Sequence, residues 1–226
     1  MPRRTKEDAQ ITRDRLLDMA ELEFQRRGVS RTSLEDIARA AGLTRGAIYW
    51  HFTDKADLFN AMMKRVTLPL EREINRSDEP GLDDPLAQTR SSFLAALHTT
   101  VKDPQARRVF EIALQKVEYV DELAGVKQRR LDGLWTRVSH LERGLRRAAR
   151  QRPLAPGLTA RTAAIGMHSL LDGLIANWML EPGSFDLPKV GAQTIDAYLR
   201  GIFVTAPPPC AAAARPRPAR APRSPR

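Results

Sequence analysis

Cysteine is almost missing from this chain. Cys210 is the only one, so no intrachain disulfide can form and a reducing cytoplasm is the expected compartment. Long apolar runs are missing too: no stretch reaches the roughly 18 uncharged apolar residues of a membrane-spanning helix. The N-terminus, MPRRTKEDAQ, is basic, but no apolar segment follows it, so a secretory signal is not expected. The sequence has no HExxH, no G-x-S-x-G, no phosphate-binding loop and no dinucleotide fingerprint. An enzyme built on a C-terminal pocket would need a paired acid and base or an activated nucleophile. Neither is found, so no catalytic residue and no cofactor is expected. His168 and Asp172 share a helix face but make two metal ligands at most, with no thiol nearby. No metal site is expected from them.

Strand pairs and repeats are also absent, and what remains reads as helix. Hydrophobic content of 42% over 226 residues is enough for a buried core. Net charge is +10. That value invites a nucleic-acid reading, but its location matters more than its size. Residues 205–226 carry Arg215, Arg217, Arg220, Arg223 and Arg226 and no acid, which is half the excess. Residues 1–60 hold eleven basic and ten acidic side chains, a net of +1. Bulk charge therefore does not mark a DNA-binding half.

A single stretch is more informative: TSLEDIARAAGLTRGAIYWHFTDK, residues 32–55. Leu34, Ile37, Ala38 and Ala41 recur at helical spacing. Thr32 or Ser33 caps the start, and Ser33 with Asp36 resembles a capping box. Gly42 sits where a left-handed residue stops the helix. Thr44 then caps a second short helix, 45–51. This is the layout of a helix-turn-helix. With Ile48 and Phe52 on the inner face, Gly46 and Trp50 point outward, flanked by Ala47 and Tyr49. A surface helix normally exposes Lys, Glu or Gln. Small residues with flat aromatic ones suit close approach to a DNA major groove instead.

TRGAIYWHF followed by DKADLF resembles the TetR family of transcriptional regulators. RTKEDAQITRDRLLDMAELEF upstream and LLDGLIANWMLEPGSFDL near the end resemble its AcrR-type branch, the repressors of multidrug efflux pumps. The resemblance implies an all-α fold of about nine helices. Residues 1–54 would form the helix-turn-helix DNA-binding domain, with 1–7 a basic arm. Residues 55–204 would form a helical ligand-binding and dimerisation domain. The Pro-dense stretch 205–226 reads as a disordered tail. DNA contacts are expected from Thr32, Ser33, Thr44, Arg45, Gly46, Ala47, Tyr49, Trp50, His51 and Lys55.

Elsewhere, Leu16, Leu17, Ala20 and Phe24 form the inner face of a first helix ended by Gly28. Asp54 caps the fourth, with Asp57 as a weaker box partner. That helix carries two apolar stripes, Leu58, Met62 and Val66, and Phe59, Met63 and Leu70. One is expected to face the DNA-binding helices and the other the rest, with Pro69 kinking or ending the helix. SDEPGLDDP at 77–85 is a loop. Most of the nine basic residues between Lys127 and Arg152 read as a solvated face, not a second DNA site. The helix 159–180 is apolar over a wide arc. By resemblance it lines a ligand cavity through Met167, His168, Leu171, Asp172 and Ile175, and joins the last helix in a dimer interface. Val66, Phe93, Ala96, Phe110, Leu114, Leu134 and Leu141 would line the rest of the cavity. Such a lining suits bulky hydrophobic or amphipathic compounds. Some relatives bring a polar or acidic side chain from the fourth helix into this cavity, where this chain has Met63, Val66 and Thr67. That leaves Glu118 and Asp172 as the acids available to a cationic ligand.

The function these features imply is a homodimeric, ligand-released repressor that reads a near-palindromic operator, by resemblance that of an efflux operon. The rivals are a family repressor of some other metabolic operon, a ligand-insensitive DNA binder and, from a different class, an enzyme.

Overall fold

The computed structural model describes residues 6–75, 85–118 and 123–204, the side chains of 68–75 and 85 excepted. Most of the basic arm, most of the loop 77–85, the Leu70 side chain and the tail from 205 lie outside the described residues. Among the described residues there are nine helices: α1 Lys6–Arg27, α2 Leu34–Ala40, α3 Arg45–His51, α4 Lys55–Asn75, α5 Pro85–Lys102, α6 Pro104–Gln115, α7 Ala124–Ala148, α8 Ala160–Leu180 and α9 Leu187–Gly201. The one β-pairing among them is an isolated antiparallel bridge, Leu154–Phe203, which ties the start of the 153–159 turn to the end of α9. The chain is all-α, as its periodicities predict.

Local chemistry sets the helix ends. Gly28 closes α1 at φ +84° and Gly42 closes α2 at φ +65°, values that L side chains rarely adopt. The Ser33–Asp36 box is complete. The Ser33 hydroxyl accepts from the Asp36 amide at 3.1 Å, and the Asp36 carboxylate accepts from the Ser33 amide at 3.1 Å. Donation to the Asp36 carboxylate by the Ser33 hydroxyl, at 2.7 Å, and by the Ser33 amide holds that carboxyl below the usual range. Thr44, Asp103, Thr159 and Asp186 cap later helices in the same way. Each such cap contributes about 1 kcal/mol. At α4 the Asp54 carboxylate accepts from the Asp57 amide at 2.7 Å. Asp57 reaches back to the amide of Thr53, one residue earlier than a capping box requires. Pro69 does not end α4, which runs on to Asn75; a proline removes one backbone donor, and the turns beyond it carry the helix forward.

Two apolar cores result. The first gathers Leu16, Leu17, Ala20 and Phe24 of α1, Leu34 and Ile37 of α2, and Ile48 of α3, all buried. It does not stop at residue 54. Leu58, Phe59, Met62 and Val66 of α4 belong to it, as do Val109 and Ile112 of α6 and Val126 of α7, and half-buried Met63 packs on it. Both apolar sides of α4 therefore feed one core, because α6 and α7 wrap the side that was expected to face the cavity. The second core joins α5, α7, α8 and α9 around Leu97, Val138, Leu145, Ala163, Met167 and Ile195. Within the α9 stripe Val190, Ile195, Leu199 and Ile202, expected at a dimer face, Ile195 and Ile202 are covered by their own chain. Gly191 makes this possible: a Cβ there would collide with Leu97. Arg90 of α5 forks onto Asp196 of α9, with Nη2 to Oδ2 at 3.0 Å.

The two cores meet along α6. Among the described residues Phe110 is the side chain that packs against both. Polar contacts flank it. Gln25 of α1 donates to Glu111 at 2.7 Å, and the Val29 amide donates to the Lys116 carbonyl at 2.9 Å. Glu21 of α1 is 1% exposed. It accepts from Gln105 of α6 at 2.9 Å and pairs with Arg65 of α4 at 3.4 Å and Arg108 of α6 at 3.5 Å. Burial pushes its carboxyl up from the ordinary glutamate range, against the pull of those three partners.

Candidate nucleic-acid interface and interior cavity

α3 is anchored from below and bare above. Ile48 is buried and Phe52 closes under it, with the Arg13 guanidinium 4.9 Å from the Phe52 ring. On the other side Trp50 is 73% exposed and Tyr49 46%. Thr44, Arg45 and Gly46 are exposed and Ala47 is half-buried, so the N-terminal turn presents little bulk. The Trp50 indole meets the His51 ring edge-on at 4.6 Å. Arg45 lies 5.5 Å from the Tyr49 ring and holds Glu35 of α2 at 2.9 Å. An indole this open on a helix whose opposite face is dry is a contact surface, and the flat aromatic pair with an arginine beside it fits a nucleic-acid groove.

Three expected DNA contacts are placed otherwise. Thr32 is fully buried, and its hydroxyl donates to the Gly28 carbonyl at 2.8 Å, bracing the turn after α1. Lys55 is 6% exposed and its Nζ donates to the Ser30 carbonyl at 3.3 Å. Both serve the fold, because the turn between α1 and α2 has carbonyls that the helices leave unpaired. Ser33 is exposed, but its hydroxyl is occupied by the Asp36 box, donating at 2.7 Å. His51 is half-buried beside Trp50. The upper face of α3 and its cap is thus Thr44, Arg45, Gly46, Ala47, Tyr49 and Trp50, with the Thr44 hydroxyl accepting from the Ala47 amide at 3.3 Å.

A cavity of about 40 Å³ lies between α5, α7 and α8. Phe93, Leu141, Met167, His168 and Leu171, which the resemblance put at a ligand cavity, line it. Thr89, Ser92 and Arg137 line it as well and were not expected. The signal for them was present: Thr89 and Phe93, and Arg137 and Leu141, are four apart on their helices and so share a face. Arg137 is one of the nine basic residues of a stretch most of which was expected to face solvent. Val66 belongs to the first core and does not line the cavity. Phe110, Leu114, Leu134 and Ile175 pack in or against the second core and Ala96 is buried, and none of the five lines the cavity. Glu118 is exposed at the end of α6.

His168 is 3% exposed. Asp172 Oδ2 is 3.4 Å from its Nε2, and no third metal-ligating side chain joins them among the described residues. That contact is not a hydrogen bond; Nε2 is buried without one. Burial pushes the imidazole pKa down, Asp172 pushes it up, and the Arg137 and Arg130 charges push it down further. The ring is therefore neutral near pH 7 and offers one donor and one acceptor.

Two family descriptions match the chain. Residues 16–62 match the bacterial regulatory proteins of the tetR family, and residues 84–203 match the C-terminal region of MAATS-type transcriptional repressors. The regulator AcrR of Shigella flexneri is 40% identical over 209 residues, 92% of this chain and 96% of its own. This chain belongs to the TetR family of transcriptional regulators. TtgR of Pseudomonas putida is 39% identical to this TetR-family chain over 187 residues, 83% of this chain and 89% of its own. NalD of Pseudomonas aeruginosa, described as the secondary repressor of the MexAB-OprM multidrug efflux pump, superposes with a TM-score of 0.80 at 37% identity, covering 88% of this chain and 98% of its own. A SmeT–triclosan complex superposes at 0.77 with 32% identity, covering 86% and 92%. The TetR-family assignment places a DNA-binding helix-turn-helix at α2 and α3. Among the described residues no helix is long and apolar enough to cross a membrane.

Proposed function

We propose that this protein represses a multidrug efflux operon as a homodimer and is released from its operator by hydrophobic or amphipathic compounds. The observation that carries the reading is α3: a fully seated inner face beneath an outer face of Arg45, Tyr49 and Trp50. Relatives support the target, since NalD is named as an efflux-pump repressor and SmeT is seen with triclosan. Dimerisation is supported by apolar residues left open on α8, Ile165 at 38% and Leu180 at 75% exposed. Two copies of α3 one DNA turn apart would read a near-palindromic site.

The cavity size supplies the mechanism and also the best argument for a ligand-insensitive regulator. At about 40 Å³ it holds a few waters, whereas drug-sized ligands occupy roughly 300–1,000 Å³. A compound can enter only by driving α5, α7 and α8 apart, and packed interiors pass such displacement on. The test is a gel-shift titration with DNA selected for binding to the full chain and a panel including triclosan. The expected result is a two-half-site operator whose affinity falls about 5–150-fold when a compound binds. Compounds that bind the protein while leaving operator affinity unchanged would favour the ligand-insensitive regulator.

A further inference from the structure

The cavity wall is not uniformly apolar, and its polar part has one sign. Its polar residues are Thr89, Ser92, Arg137 and His168, with no carboxylate among them. The His168 Nε2 is buried and makes no hydrogen bond, a state that costs free energy unless something supplies a partner. Arg137 stands over Gly133, one turn back on α7, where a Cβ would come within 3.1 Å of its Nη1. The missing side chain lets the guanidinium fold along the helix toward the cavity. Asp172 is the nearest acid to His168, but its side chain is 47% exposed, so water screens it. Arg130, whose Nη1 donates to the Ala113 carbonyl at 3.1 Å, adds a second positive charge from the same side.

We propose that His168 and Arg137 form a polar subsite that selects ligands carrying an acidic oxygen group, a carboxylate, sulfonate or phenolate, on an apolar aromatic body. Phe93, Leu141 and Leu171 take the aromatic body. Arg137 meets the anionic oxygen, and His168, neutral, donates to it from Nε2. The inference rests on the reading of this cavity as the inducer site. It names the charge class of the inducer.

A matched pair of probes tests it on the full chain. 8-Anilinonaphthalene-1-sulfonate and N-phenyl-1-naphthylamine share one aromatic body and differ by the sulfonate, and both report binding by fluorescence. The sulfonate is expected to bind about tenfold more tightly, as a charge-assisted hydrogen bond supplies. Arg137→Gln should remove about tenfold of sulfonate affinity and leave the neutral probe within about twofold. Arg137→Lys, which keeps the charge, should retain most of the preference. His168→Leu should weaken the sulfonate selectively, and binding of the neutral probe to each variant verifies that the cavity is intact. Sulfonate binding elsewhere on this basic chain is insensitive to Arg137 and cancels in the comparison. Equal loss for both probes in Arg137→Gln, no loss for either, or tighter binding of the neutral probe to the native chain would each overturn the proposal. If the sulfonate binds through Arg137 yet leaves operator affinity unchanged, the subsite stands and the inducer reading fails. If neutral compounds release the operator as readily as anionic ones, the inducer reading stands and the subsite fails.

Discussion

Arg45→Ala is expected to weaken operator binding by about 1–3 kcal/mol and to relax sequence preference, while leaving the thermal midpoint unchanged. Arg45 opens α3, the end of a recognition helix that meets base edges, and its side chain is 71% exposed. In the free protein it is engaged with Glu35 at 2.9 Å and with the Tyr49 ring. An exposed pair of that kind contributes only about 0.2–1 kcal/mol. A bidentate guanine contact is worth more, so exchange of the carboxylate for a base edge is downhill. The measurement is a titration of selected operator and scrambled DNA by native and variant protein. Selective loss on the operator marks a base reader. Equal loss on both would mark Arg45 as a phosphate contact and overturn its assigned role. Tyr49→Phe supplies the contrast: its exposed hydroxyl is expected to reach a phosphate rather than a base edge, so the loss should be equal on both DNAs.

Phe110→Ala is expected to cut the coupling between compound and operator from about 5–150-fold to under about twofold. Ligand-free operator affinity should stay near the native value, since α3 packs chiefly on α1 and α2 and the ring belongs to α6. The sequence led us to expect α4 to join the two halves, with one apolar side on the DNA-binding helices and the other on the rest. The structure gives both sides of α4 to the first core and leaves Phe110 of α6 as the ring packed against both. Compound affinity, read by probe fluorescence, separates a broken linkage from a lost ligand. Phe110→Leu, which keeps most of the volume, should retain partial coupling. Native coupling in Phe110→Ala would remove α6 from the pathway. By reciprocity, bound operator must weaken compound binding by the same factor, which gives an independent measure in each variant.

The helix-turn-helix was legible because its determinants are local. Ser33 with Asp36, Gly28, Gly42 and Thr44 each act on the chain within a few residues, and each does in the structure what its residue type predicts. What was not legible depends on neighbours remote in sequence. Thr32 and Lys55 look like surface polar residues until the turn after α1 brings carbonyls to them. Val66 changes sides because α6 and α7 fold over it, and no period within α4 records that. Arg137 sits among basic residues that do face water, and only the packing of α5 and α8 picks it out. Ile195 and Ile202 showed their apolar character but not which chain would cover it.

Glu21 gives the joint between the cores a particular kind of compliance. Its carboxylate has donors on two helices, Arg65 from α4 and Gln105 and Arg108 from α6, all within 3.5 Å. A single well-formed bond would resist any tilt of α6 against α1 until it broke. A neutral amide and two guanidinium groups surround the buried carboxylate, so a tilt of α6 that broke one contact would leave it with a partner on another helix. Such a joint would act as a bearing, and the stiffness of a stroke would fall to Phe110.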